Sequence, residues 1–139
     1  MKKFSGLFFL LLITLSLGIS ANETASKDAT VYFITPLDGE TVTQTFKVKF
    51  GLNGMGVAPA GTVRDNTGHH HLLIDLQTLP DMHKPLPATD NIVHFGGGQT
   101  ETELTLGPGT HTLQLLLGDY AHIPHSKPVL SKPITITVE

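Results

Sequence analysis

The sequence predicts an all-β domain, an immunoglobulin-like antiparallel β-sandwich of about seven or eight strands behind an N-terminal signal peptide. Three observations carry this expectation. Apolar and polar residues alternate over short stretches, most clearly at Thr45-Phe46-Lys47-Val48-Lys49-Phe50 and at Ile134-Thr135-Ile136-Thr137-Val138, which is the period of a strand with one buried face. Between such stretches lie turn-forming clusters drawn from 14 glycines and 9 prolines. No convincing helical period appears after residue 21. Short strands joined by Gly/Pro turns read as a sandwich, with a small barrel as the alternative closed solution.

The elements follow in order. Val31-Tyr32-Phe33-Ile34 is β-branched and aromatic and ends at the turn residues Pro36-Leu37-Asp38-Gly39. The alternating run Thr45 to Phe50 is the second strand. Residues 51–68 hold five glycines and one proline, and read as a long loop. His69 to Leu76 is a strand, residues 77–90 with three prolines another loop, and Ile92 to Phe95 a short strand closed by Gly96-Gly97-Gly98. Gln99 to Leu106 alternates, Gly107-Pro108-Gly109 turns the chain, and His111 to Leu117 follows as a strand. Residues 118–131 are irregular, and Ile134 to Val138 closes the domain.

The N-terminus sets the expected compartment. Met1-Lys2-Lys3 is a short basic start, Phe4 to Ile19 is almost wholly apolar, and Gly18, Ser20 and Ala21 are small. That order is a secretory signal peptide, residues 1–21, cut near Ser20 or Ala21. The apolar stretch is short for a membrane span, which needs about 20 residues, so no stable membrane insertion is expected after cleavage. Residues 22–28 read as a flexible leader and 29–139 as a single domain, periplasmic or secreted. Without Lys2 and Lys3 the chain keeps seven basic residues against 12 acidic ones, a net charge of −5 with neutral histidines. That balance argues against nucleic acid or an anionic membrane surface as a partner. There is no cysteine, which excludes disulfides, thiolate metal sites and a lipidated cysteine.

The histidines carry the chemical signal. All eight fall between His69 and His125. In His69-His70-His71-Leu72-Leu73-Ile74-Asp75-Leu76, the apolar set Leu72, Ile74 and Leu76 should face the core together with His70. His69 and His71 then share the opposite face, their backbones roughly 6.5–7 Å apart, and can converge on one ion. Neutral imidazole is a good ligand for copper, zinc and nickel, but two ligands do not close a site. His122 and His125 lie three apart in a loop with Pro124, and Asp119 could ligate an ion or orient a histidine from behind it. His94 either joins this group or is solvated. His111 shares a face with Leu113, Leu115 and Leu117 and reads as a packed structural histidine. His83 reads as solvated, although the adjacent Met82 is a soft donor suited to Cu(I). The metal-ligand candidates are therefore His69, His71, His94, Asp119, His122 and His125. No Gly-x-Ser-x-Gly elbow, phosphate-binding loop, H-E-x-x-H or calcium loop occurs, and nothing names a general base.

Three segments, Gly68-His69-His70-His71-Leu72-Leu73-Ile74-Asp75, His94-Phe95-Gly96-Gly97-Gly98-Gln99-Thr100-Glu101-Thr102, and Gly107 to Asp119 with His122-Ile123-Pro124-His125, resemble a family of small exported bacterial proteins whose domain is of unknown function. The resemblance runs from about Tyr32 to Val138. It implies an exported β-rich domain and supplies no activity. The expected function is binding of a transition metal, copper or zinc, for buffering or delivery. The alternative is a cell-envelope module that uses the same histidine-rich edge for a small non-metal ligand or an unknown protein partner. Binding is expected over catalysis.

Overall fold

The computed structural model describes residues 25–139. The expected signal peptide, and Asn22 to Thr24 of the leader, lie outside the described residues. Ala25 is buried against the core. Among the described residues there is no helix, hence none long and apolar enough to cross a membrane.

Among the described residues nine strands form two sheets: β1 (Thr30–Thr35), β2 (Thr41–Val42), β3 (Thr45–Asn53), β4 (Gly56–Val57), β5 (Thr67–Ile74), β6 (Ile92–His94), β7 (Glu101–Thr105), β8 (Gly109–Gly118) and β9 (Ile134–Val138). The smaller sheet has the order β1-β3-β7, and both of its pairings are antiparallel. The larger has the order β2-β9-β8-β5-β4, with β6 also paired to β5. Its β2–β9 and β4–β5 pairs are parallel and the others antiparallel.

Alternation places the core between the sheets. In β3, Phe46, Val48 and Phe50 point inward while Lys47 and Lys49 point out, each within 4 Å of Glu101 on β7. In β9, Ile134, Ile136 and Val138 are buried and Thr135 and Thr137 exposed. These residues join Leu72 and Ile74 of β5 and Leu113, Leu115 and Leu117 of β8 in one apolar cluster.

β5 departs from simple alternation, because all eight of its residues are buried. Its second face is covered by loops. Leu73 packs in a separate cluster with Leu86, Ile92 and Leu116, flanked by Leu76, Met82 and Leu130. A strand enclosed on both faces reads as a continuous apolar run, which here is Leu72-Leu73-Ile74. The segment after β8 supplies part of the cover. Leu117 N donates to Val129 O at 3.0 Å and Ser131 N to Leu115 O at 2.9 Å, so this irregular stretch returns along β8 beyond the reach of β9. Leu86 N donates to His122 O at 2.9 Å, which ties the two covering loops together.

The expected 51–68 loop is partly strand. β3 extends to Asn53, and Gly56–Val57 adds a short parallel pair on β5. Glycine content masked both, since neither pairing needs side chains there.

Leu115 is fully buried at the centre of the shared core. Leu115→Ala should cost about 2–5 kcal/mol, read as a lower denaturant midpoint at unchanged m-value. Val63→Ala, at a residue 72% exposed, should shift it by less than about 0.5 kcal/mol.

Candidate metal centre

Strand register assembles the site. Residues two apart on β5 share a face, so His69, His71 and Leu73 lie on the loop-covered side. His71 pairs directly with His94 of β6, which brings their rings to 5.1 Å in a stacked arrangement. On the opposite edge His69 pairs with Gly118 of β8. A Cβ at Gly118 would lie 2.8 Å from His71 Cε1, so glycine leaves the space that the imidazole fills. Gly96 has the same relation to His94, where a Cβ would lie 2.7 Å from Nε2.

Beyond Gly118 the chain makes a tight turn. Asp119 is fully buried, and its Oδ1 accepts from Ala121 N at 2.8 Å and Ile123 N at 3.0 Å. His122 adopts φ 67°, the left-handed region that a non-glycine residue seldom occupies. The turn sets the His122 ring 5.0 Å from that of His69, 4.7 Å from His94 and 6.3 Å from His71.

Four of the six candidate residues therefore meet. His69, His71 and His94 form a group that could hold a metal ion, each offering one nitrogen within 4.8 Å of the others. His122 stands against all three. His125 is buried beside them, with Nε2 3.2 Å from Thr67 O and Nδ1 without a partner. Asp119 clamps the turn that carries His122, while its Oδ2 is buried and unpartnered.

The other histidines divide by environment. His70 faces the inter-sheet core with its ring 4.7 Å from that of Phe50. His111 is bonded at both nitrogens, Nδ1 to Asp75 Oδ2 at 2.7 Å and Nε2 to Gly107 O at 2.9 Å. The expected packed histidine is thus also paired with a carboxylate. His83 lies exposed in its loop, and Met82 packs in the second apolar cluster. Local pattern alone does not decide between a clustered and a solvated His94, and it assigns no role to Gly118 or Gly96. The cross-strand register of β5 brings His94 and Gly118 to the cluster, and the fold of the chain after β6 sets Gly96 against the His94 ring.

A family model described as a domain of unknown function, DUF4399, matches residues 48–139. The chain belongs to the DUF4399 family. The match takes in all eight histidines. No curated protein matches the chain. Among solved structures it is similar to the endo-β-1,4-mannanase from Thermotoga petrophila, at 19% identity and a TM-score of 0.49, over 81% of this chain and 20% of that one. This chain thus spans about a fifth of the mannanase's length, and a likeness this low carries no inference about activity.

Electrostatics in the DUF4399 domain favour neutral imidazoles. Burial pushes His69 down to about 4, helped by the nearby His122 and His94. Burial, with His69, His94 and His122 close by, pushes His71 down to about 3. His94 is lowered for the same reasons, burial first and then His122. Burial takes His70 down to about 4 against an opposing backbone contact from Gln99. His111 moves the other way, raised by its hydrogen bonds to Asp75 and Gly107.

These shifts fix the sign of an acid effect on the metal-free protein. In the unfolded chain the imidazoles of His69, His70 and His71 take up protons near pH 6.5, and in the fold only near pH 3 to 4. Between those values the unfolded chain binds more protons, so stability is full above pH 6.5 and is lost as pH falls. Each such histidine adds up to about 1.4 kcal/mol per pH unit to the slope. Denaturant unfolding between pH 7 and 4 should show this fall, and His70→Leu should flatten it.

Proposed function

We propose that this protein is an exported metal-binding protein of the bacterial cell envelope. It holds a divalent transition metal, copper first and zinc second, for buffering or delivery. His69, His71 and His94 are the ligands, with His122 as the fourth donor. In this reading residues 1–21 are removed on export, and the two sheets are an immunoglobulin-like sandwich that serves as a rigid frame for the site.

The observation that carries the reading is a set of orphaned atoms. Both ring nitrogens of His69, both of His71 and Nε2 of His94 are buried with no hydrogen-bond partner. An unsatisfied buried polar group costs about 1–3 kcal/mol, and five such atoms in one place would be a heavy burden on a small domain. A shared cation would take one nitrogen from each of the three rings as a ligand and so satisfy three of the five. The low proton affinity of these rings suits this role, since a metal need not compete with protons near neutrality.

The donor set also bears on which metal. The rings are neutral nitrogen donors, the chain has no thiolate, and Met82 packs in an apolar cluster. Imidazole suits copper and zinc, and in a nitrogen site Cu(II) binds more tightly than Zn(II). Metal–nitrogen bonds of about 2.0–2.1 Å require the three nitrogens to draw in by about an ångström. His94, on a strand of only three residues, is the ligand best placed to move.

Calorimetric titration of the untagged, metal-stripped mature chain with Cu(II) and Zn(II) tests this. One-to-one binding is expected, weakened at least 100-fold in His69→Ala/His71→Ala. Free metal at 100 times Kd should stabilise the wild-type fold by about 2.7 kcal/mol. Affinity no higher than that of an unstructured histidine peptide, or unchanged in the double variant, would overturn the reading.

A further inference from the structure

The four imidazoles are not equivalent in how they are held, and the difference bears on how an ion would leave. His69 and His71 are fully buried. They sit on β5, which is paired with β8 over six residues from His69 to Ile74 and with β6 on its other edge. Their backbone cannot shift without breaking the pairing of the larger sheet, and their rings are enclosed on all sides. His94 and His122 are both partly exposed. His94 ends a three-residue strand whose pairing reaches only His71, Leu72 and Leu73. It borders an open surface groove lined by Ala88, Thr89, Asp90, Ile92 and Val93. His122 stands on a turn held by the Asp119 side chain and by the Leu86 N–H.

We infer that the site has a fixed floor, His69 and His71, and an exchangeable rim, His94 and His122, and that an acceptor takes the ion by displacing the rim ligands one at a time. This deepens the proposed function and rests on it. The floor retains the ion while an incoming donor group attacks on the His94 side. His94 dissociates as the first new metal–donor bond forms, and His122 as the second forms. At no stage is the ion without ligands, so release does not wait on unfolding. The acceptor is defined by chemistry alone, as a molecule with at least two nitrogen, oxygen or sulfur donors that can reach the His94 groove together. No change of oxidation state is needed, since one set of donors replaces another around the same cation.

Stopped-flow transfer from the loaded full mature chain to the chromophoric chelator pyridylazoresorcinol tests the inference, with whichever of Cu(II) and Zn(II) binds at equilibrium. In the wild-type chain the observed rate should rise in proportion to chelator concentration. His94→Ala and His122→Ala should each keep one-to-one stoichiometry, lose about tenfold in affinity and release the ion at least tenfold faster. His71→Ala should lose stoichiometric binding. A rate independent of chelator concentration, or His94→Ala and His122→Ala losing binding as fully as His71→Ala, overturns the inference and leaves the metal reading standing. No one-to-one binding in the wild-type chain overturns both. Near-ultraviolet circular dichroism of each variant separates loss of a ligand from loss of the fold.

Discussion

The burial of β5 on both faces is the constraint on which the rest of the structure depends. One face, through Leu72 and Ile74, belongs to the core between the sheets. The other, through His69, His71 and Leu73, cannot be left to solvent once Leu73 and its β8 neighbour Leu116 are present. The chain meets this demand with irregular segments rather than a third sheet. Leu86 comes from the loop before β6 and Leu130 from the segment after β8, beside Ile92 of β6, so these irregular segments cover an apolar patch. The histidines lie at one end of that patch, under the same segments.

Covering that face has opposite consequences for its two kinds of residue. Burial of Leu73 and Leu116 stabilises the fold, by roughly 1.5–3 kcal/mol for each side chain. Burial of His69 and His71 strips their nitrogens of water and returns no hydrogen bond. The domain shows elsewhere that it can satisfy an imidazole, as His111 has a carboxylate on one nitrogen and a carbonyl on the other. The clustered rings of His69 and His71 lack such partners, as does His70 on the inter-sheet face. The Asp119 turn, through two backbone N–H groups and a left-handed His122, holds one more ring at the cluster.

The four clustered histidines sit on elements of different rigidity. His69 and His71 share one strand inside a sheet, and His94 and His122 sit on a short edge strand and a loop. A site built only on a central strand would hold an ion without a path out, and one built only on loops would lack a defined geometry. The glycines belong to the same design, because Gly118 and Gly96 supply the volume that the His71 and His94 rings occupy.

Much of this was legible in the residues themselves. The period-two pattern in Thr45 to Phe50 and Ile134 to Val138 determined strands and their inward faces, because alternation is a local property of an extended chain. The same rule put His69 and His71 on one side of their strand and His70 with Leu72 and Ile74 on the other. The crowding of the histidines into residues 69–125 marked the part of the chain from which the histidine cluster is built. Tertiary structure decided which histidines meet. His94 joins the cluster because β6 pairs with β5 in a register that sets it opposite His71, and no local pattern fixes a register between residues 23 positions apart in sequence. His122 joins because a buried carboxylate folds its turn, while His125, three residues on, is turned to the Thr67 carbonyl. Pairing register and loop closure are non-local, and they depend on what the rest of the chain leaves room for.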